Sequence, residues 1–153
     1  MSKQFQGVTF AKRRISPAYE AVVNRAMFAD GILTGCNLRI SGFRLSMDTG
    51  QLMICGRQIR NPAVQSWSFA GKNSGFARLV LTIDMTKASS RNNFDQVFAT
   101  VEYSTNEYGF LPLQQQDINA AGIRYQVEIC KVSLAATGIS GIVSKLDKTG
   151  FNG

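Results

Sequence analysis

Residues 35–60, GCNLRISGFRLSMDTGQLMICGRQIR, alternate apolar and polar side chains through three successive runs. Leu38 and Ile40 alternate with Asn37, Arg39 and Ser41, and Phe43, Leu45 and Met47 with Arg44 and Ser46. Leu52 and Ile54 then share one parity, opposed to Met53 and Cys55. A side-chain period of two commits such a chain to strands with one buried face. Asp48-Thr49-Gly50 between two runs reads as a short turn, with Gly50 free to take a positive φ. Gly42 and Gly56 read as bulges or close backbone approaches. The expectation is a β-meander.

The same period returns downstream. In residues 76–86, Leu79, Leu81, Ile83 and Met85 oppose Arg78, Val80, Thr82 and Asp84. In residues 96–104, Val97, Ala99, Val101 and Tyr103 oppose Phe98, Thr100 and Glu102. A polar loop separates these two runs, so they are expected to pair antiparallel. Trp67 and Phe69, set between Ser66 and Ser68, mark a short strand, and residues 71–75 a turn-rich loop. Residues 107–121 read as irregular around Pro112. Tyr125, Val127 and Ile129 alternate with Gln126, Glu128 and Cys130 in a further strand, and residues 138–146 form a last short strand or turn before a loose tail.

Ahead of the meander, Ser16 is a good N-cap and Pro17 a good first helical residue. A helix over residues 17–29 follows, closed by Asp30-Gly31. Tyr19, Val22, Val23, Ala26 and Met27 make an apolar stripe along it, for the protein's own sheet or for another copy. Residues 1–15 read as an extended arm with spaced apolar residues and the cluster Lys12-Arg13-Arg14. One helix and roughly seven strands define a mainly β fold: an antiparallel β-sandwich or barrel with one N-terminal α-helix. The division is residues 1–30, an arm and helix for attachment and oligomerisation, and residues 31–153, the β-sandwich domain.

Function classes fall away by composition. The chain has no His, so Ser-His-Asp and Cys-His sites are excluded. Three Cys in no CxxC spacing read as small buried apolar residues in a reducing compartment, not as a metal set or disulfide framework. Gly71-Lys72-Asn73-Ser74-Gly75 lacks the spacing of a phosphate loop. Asp84 and Glu102 are the only carboxylates on facing strands, and an Arg across the strands is the simpler partner for either. No enzyme activity and no cofactor is expected. No apolar run has the length of a membrane span and residues 1–7 lack a signal-peptide core, so membrane insertion is not expected and synthesis in a cytoplasm is.

Charge is uneven. The first 78 residues carry eleven basic and three acidic side chains, within a total of +7. Dispersed basic charge of this kind fits acidic patches on protein partners better than nucleic acid, whose footprint would be clustered. Trp67, Phe69 and Phe76 flank a basic segment, which is the pattern of a single-strand binder; Trp67, Tyr108 and Phe110 are the candidates for a carbohydrate- or receptor-binding module.

The order of several short motifs adds to this. Gly7-Val8-Thr9, Ile15-Ser16-Pro17, Gly31-Ile32-Leu33, Gly50-Gln51-Leu52, Ile54-Cys55-Gly56-Arg57 and the strand 78–84 follow one another over residues 5–135. In that order the chain resembles the N-terminal domains of tailed-bacteriophage baseplate and tail-appendage proteins. The resemblance implies a virion structural protein, assembled in the bacterial host cytoplasm as a trimer or ring. Its place would be the baseplate or tail tip, as an adaptor or anchor for other tail proteins. Such domains commonly precede receptor-binding or enzymatic regions, and a chain ending at Gly153 points to adaptor or decoration work. A capsid decoration or head-fibre protein, or a host-surface receptor-binding module, is the alternative. Partner contacts are expected at Phe5, Phe10, Arg13, Arg14, Tyr19, Val23 and Met27.

Overall fold

The computed structural model describes residues 17–87 and 95–149, with side chains from residue 20 onward. Among these residues helix α1 (Pro17–Met27) is followed by ten strands: β1 (Gly31–Gly35), β2 (Leu38–Ser41), β3 (Arg44–Met47), β4 (Gly50–Ile54), β5 (Arg57–Asn61), β6 (Gln65–Ser68), β7 (Phe76–Asp84), β8 (Val97–Ser104), β9 (Arg124–Ala135) and β10 (Gly138–Lys145). They make a four-stranded antiparallel sheet, β10-β9-β7-β8, and two three-stranded sheets, β1-β4-β5 and β2-β3-β6. The fold is mainly β and sandwich-like, with no closed barrel among the described residues. Phe5, Phe10, Arg13, Arg14, the Ser16 cap and the tail after Thr149 lie outside the described residues.

The meander expected over residues 35–60 is instead one long, kinked ribbon. Pairing runs from Gly31↔Met53, past one register shift between Ile32 and Thr34, through Gly35↔Gly50 and on from Leu38↔Met47 to Ser41↔Arg44. Across the kink Cys36 N donates to Thr49 O (3.0 Å) and Asp48 N to Asn37 O (2.9 Å). So Asp48-Thr49-Gly50 is not a hairpin turn but one side of the bend. Gly50 is required there by crowding rather than by positive φ: a Cβ would sit 2.2 Å from Thr34 O. The positive φ falls on the facing side, at Gly35 and Cys36. The ribbon's true turn is Gly42-Phe43, with Gly42 at φ 60°, and the base adds β5 through a second turn, Cys55-Gly56, at φ 52° and 74°. Two successive positive-φ residues give a turn whose twist matches its flanking strands.

β7 and β8 pair antiparallel as expected, from Phe76↔Ser104 to Ile83↔Val97. β7 and β9 pair with one register shift, Leu79↔Cys130 followed by Val80↔Glu128. The extra residue, Ile129, is a bulge that moves the inward face from Tyr125, Val127 and Ile129 onto Cys130, Val132 and Leu134, all buried. One core results. It joins Ala77, Leu79, Leu81 and Ile83 of β7 and this face of β9 to Leu45, Met47, Leu52, Ile54 and Phe69 from the ribbon side.

The polar parity of β7 is buried as well, where an exposed face was expected. Residues 105–116 cross over it. Arg78 Nη2 donates to Leu111 O (2.6 Å), its Nε to Glu102 Oε1 (2.8 Å), and its guanidinium lies 4.7 Å from the Phe110 ring centre. Lys131 Nζ donates to Glu107 O (2.8 Å) and lies over the Tyr108 and Phe110 rings. The crossing segment then pairs with the edge of β9 that β10 leaves open, with Gln126 N donating to Gln114 O and Gln116 N to Arg124 O. Beyond β10 the chain returns to the ribbon: Ile32 N donates to Asp147 O and Thr149 N to Ile32 O, while Thr149 Oγ1 bonds Ala29 O. Gly31 therefore opens β1 instead of capping the helix. A Cβ on it would meet Asp147 O at 2.7 Å.

Candidate functional site

A group of polar side chains surrounds the Cys55-Gly56 turn, and its effect is to seat α1. Gly56 lies against the helix backbone so closely that a Cβ would be 1.8 Å from Ala21 O. Asn24 Nδ2 donates to Gly56 O (3.2 Å), and Arg25 Nη1 to Cys55 Sγ (2.6 Å). Asp30, just past the helix, accepts from Cys55 N (2.7 Å) on one oxygen and from the Tyr125 hydroxyl (2.5 Å) on the other. Arg25 also lies 5.3 Å from the Tyr125 ring centre and 4.0 Å from Asp117. From the opposite side Asn119 Nδ2 donates to Cys55 O (2.8 Å) and Arg57 Nε to Asn119 Oδ1 (3.0 Å). The turn thus ties together the helix, the ribbon, β9 and the 117–121 loop.

Burial sets the ionisation of the thiol and the phenol in this group. Burial pushes the Cys55 thiol up from its ordinary value, and the nearby Arg25 charge only partly offsets it. Burial, reinforced by the Asp30 acceptor, also raises the Tyr125 hydroxyl. Both stay protonated near neutral pH, whereas a nucleophilic cysteine needs a thiolate. Cys36 and Cys130 are likewise free and buried, with Cys130 pushed up to about 12 by desolvation. Among the described residues no cluster of Cys, Asp and Glu is placed to hold a metal ion, and no helix is long and apolar enough to cross a membrane.

Among the described residues the other side of the seated helix is exposed. Ala21 is 1% exposed, while Val22 and Val23 are each 53% and Met27 is 45% exposed. At 100° per residue, positions 21, 24, 25 and 28 face the turn, and 22, 23, 26 and 27 face away. The apolar stripe read from the sequence is therefore not the docking face; a polar set is. Val23 and Met27, expected as partner contacts, stand on the open side. Of Tyr19 only the backbone position on α1 is described.

The other sequence candidates are dispersed. Trp67 packs against the core from β6, Phe69 is fully buried, and Phe110 lies under Arg78 and Lys131. Tyr108 alone of these is widely exposed, at 83%. Neither aromatic trio forms a stacking platform. Glu102 pairs with Arg78, while Asp84 is held by Thr86 and stands 4.0 Å from Arg124, so the two carboxylates are not joined. A shallow cleft of about 200 Å³ is lined by Lys72, Ser74, Phe76, Tyr103, Ser104 and Thr105 and holds no acid–base pair. What the sequence reading missed was the seat itself. Its one local signal is Cys-Gly between strand patterns; Asp30 and Tyr125, 95 residues apart, carry none.

Compared with known proteins, the chain matches no family model and no curated protein sequence.

Proposed function

We propose that the chain is a non-enzymatic structural subunit of a tailed-bacteriophage virion, an adaptor or anchor in the baseplate or tail tip that attaches to neighbouring chains through the open face of α1. The observation that carries this reading is a helix fixed from one side by the polar bonds of Asn24 and Arg25 while Val22, Val23 and Met27 stay uncovered. A solvated helix has no use for that stripe, and a preordered apolar surface lowers the entropy cost of docking. The virion part of the proposal rests on the resemblance carried by the ordered motifs from Gly7 to Asp84.

Immunogold labelling of phage particles that encode the chain tests the location. Label at the tail tip is expected; label on the head substitutes a capsid decoration role, and unlabelled particles overturn the reading. Val23→Asp with Met27→Asp tests the surface. Both sites are exposed, so folding is retained, and incorporation into particles is expected to fall at least about tenfold, the effect of losing a few interface contacts.

A further inference from the structure

Among the described residues every strand edge but one is blunted. The free edge of β10 is broken by two register shifts, and its start is pressed on Gly42. β1 is flanked by residues 147–149, and β5 carries Arg57 and Arg60 with α1 over its beginning. β2 and β6 are four residues each. Short strands, bulges, basic side chains and covering segments are the devices by which sheets avoid pairing with strangers.

β8 has none of them. It is eight residues long, VFATVEYS, without Pro, Lys, Arg or Gly. Its pairing with β7 is regular throughout, and its one charge, Glu102, is neutralised by Arg78 at 2.7 Å. The direction of its free backbone groups follows from one bond. Asp84 N donates to Gln96 O, which makes that pair hydrogen-bonded and fixes the alternation along the ladder. Phe98, Thr100, Glu102 and Ser104 then bond to β7, and Val97, Ala99, Val101 and Tyr103 turn their N–H and C=O groups outward. Among the described residues nothing meets them.

We infer that β8 is the seam of a two-fold homodimer, pairing antiparallel with β8 of a second copy so that two four-stranded sheets become one continuous sheet. The strand is complementary to itself in one full-length register. With Thr100 on the axis facing its own copy, Ala99 opposes Val101 and Val97 opposes Tyr103, so all the outward groups exchange hydrogen bonds. In that register Glu102 opposes Phe98, and the two Glu102 side chains stay apart. The half-buried inner residues Val97, Ala99 and Val101 join their counterparts and extend the core across the axis. A different partner strand would have to match this alternation and carry no like charge opposite Glu102, conditions that an identical strand already meets. The inference is independent of the virion assignment and of the α1 surface.

Native mass spectrometry and oxidative cross-linking on the full chain decide it. A dimer is expected at micromolar concentration. Thr100→Cys is expected to give a disulfide-linked dimer on mild oxidation, since residues facing each other across a non-hydrogen-bonded pair have Cβ atoms about 4.5–5.5 Å apart. Phe98→Cys is expected to give none, because its copies lie more than about 13 Å apart along the paired strands. The native thiols are buried and do not compete. Ala99→Pro removes an outward N–H and leaves the β7 pairing intact, so the dissociation constant is expected to rise about tenfold or more. If that variant unfolds by circular dichroism, the Thr100→Cys cross-link alone decides. A monomeric wild type, or a Thr100→Cys protein that cross-links no better than Phe98→Cys, overturns the proposal. A dimer abolished by Val23→Asp with Met27→Asp but never cross-linked at Thr100 overturns it too, and leaves the α1 surface standing.

Discussion

The two faces of β7, at the centre of the four-stranded sheet, are both buried, by opposite means. The inner face is apolar: Ala77, Leu79, Leu81 and Ile83 meet the ribbon with no polar side chain among them. The outer face carries Arg78, Val80, Thr82 and Asp84 and is covered by a loop of the same chain that supplies a carbonyl and aromatic rings for the cations beneath it. Alternation along a strand therefore separates an apolar face from a polar one, but it does not decide which of them water reaches. A polar face can be closed when the covering segment brings hydrogen-bond partners with it.

Three measurements break or sharpen that contrast. Leu79→Ala, at a fully buried inner position, is expected to cost about 3 kcal/mol or more in chemical denaturation, from lost transfer energy and the cavity left behind. On the outer face Arg78→Ala is expected to cost about 2–3 kcal/mol, less than a fully buried pair would, because Glu102 and Glu128 keep partial contact with water. Phe110→Ala should cost about 1 kcal/mol, and the double substitution less than the sum, since the ring and the guanidinium stabilise each other. An Arg78→Ala penalty near zero would mean that the outer face is open in solution. The smallest effect is at the end of β7. Hydrogen bonds from the Thr86 hydroxyl and N–H hold Asp84 below the usual carboxylate range, assisted by Arg124 and opposed by burial. Its native value is thus the lower one, so its stabilisation is present above the ordinary carboxylate pKa of about 4 and is lost as pH falls through the native value. The thermal midpoints of wild type and Asp84→Asn should accordingly converge as the solution is acidified.

Legibility in the sequence followed range. β7, β8 and the pairing between them were readable because two long runs flank one polar loop. β9 was half readable: Tyr125, Val127 and Ile129 give one parity, yet Val132 and Leu134 stand on the other, and that break is the mark of the Ile129 bulge. The ribbon was misjudged because alternation assigns faces, not partners; Asp-Thr-Gly has turn chemistry, but crowding at Thr34 and Cys36 explains Gly50. The helix was correctly placed and nearly correctly ended, while its docking face was hidden. Apolar spacing pointed to Val22, Val23 and Met27, whereas the seat is made by Asn24, Arg25 and a distant Asp30–Tyr125 pair that no local pattern announces. The expected contacts Phe5, Phe10, Arg13 and Arg14 lie outside the described residues.

The return of residues 147–149 alongside β1 has a mechanical meaning. A pull that enters at α1 and leaves beyond Thr149 meets the parallel contact of Ile32 with Lys148 and the bonds of Ile32 to Asp147 and Thr149. Those bonds lie side by side across the direction of tension, so they must shear together instead of unzipping singly. Traction between these two points is short-circuited through residues 29–32, and the sandwich behind them carries little of the load.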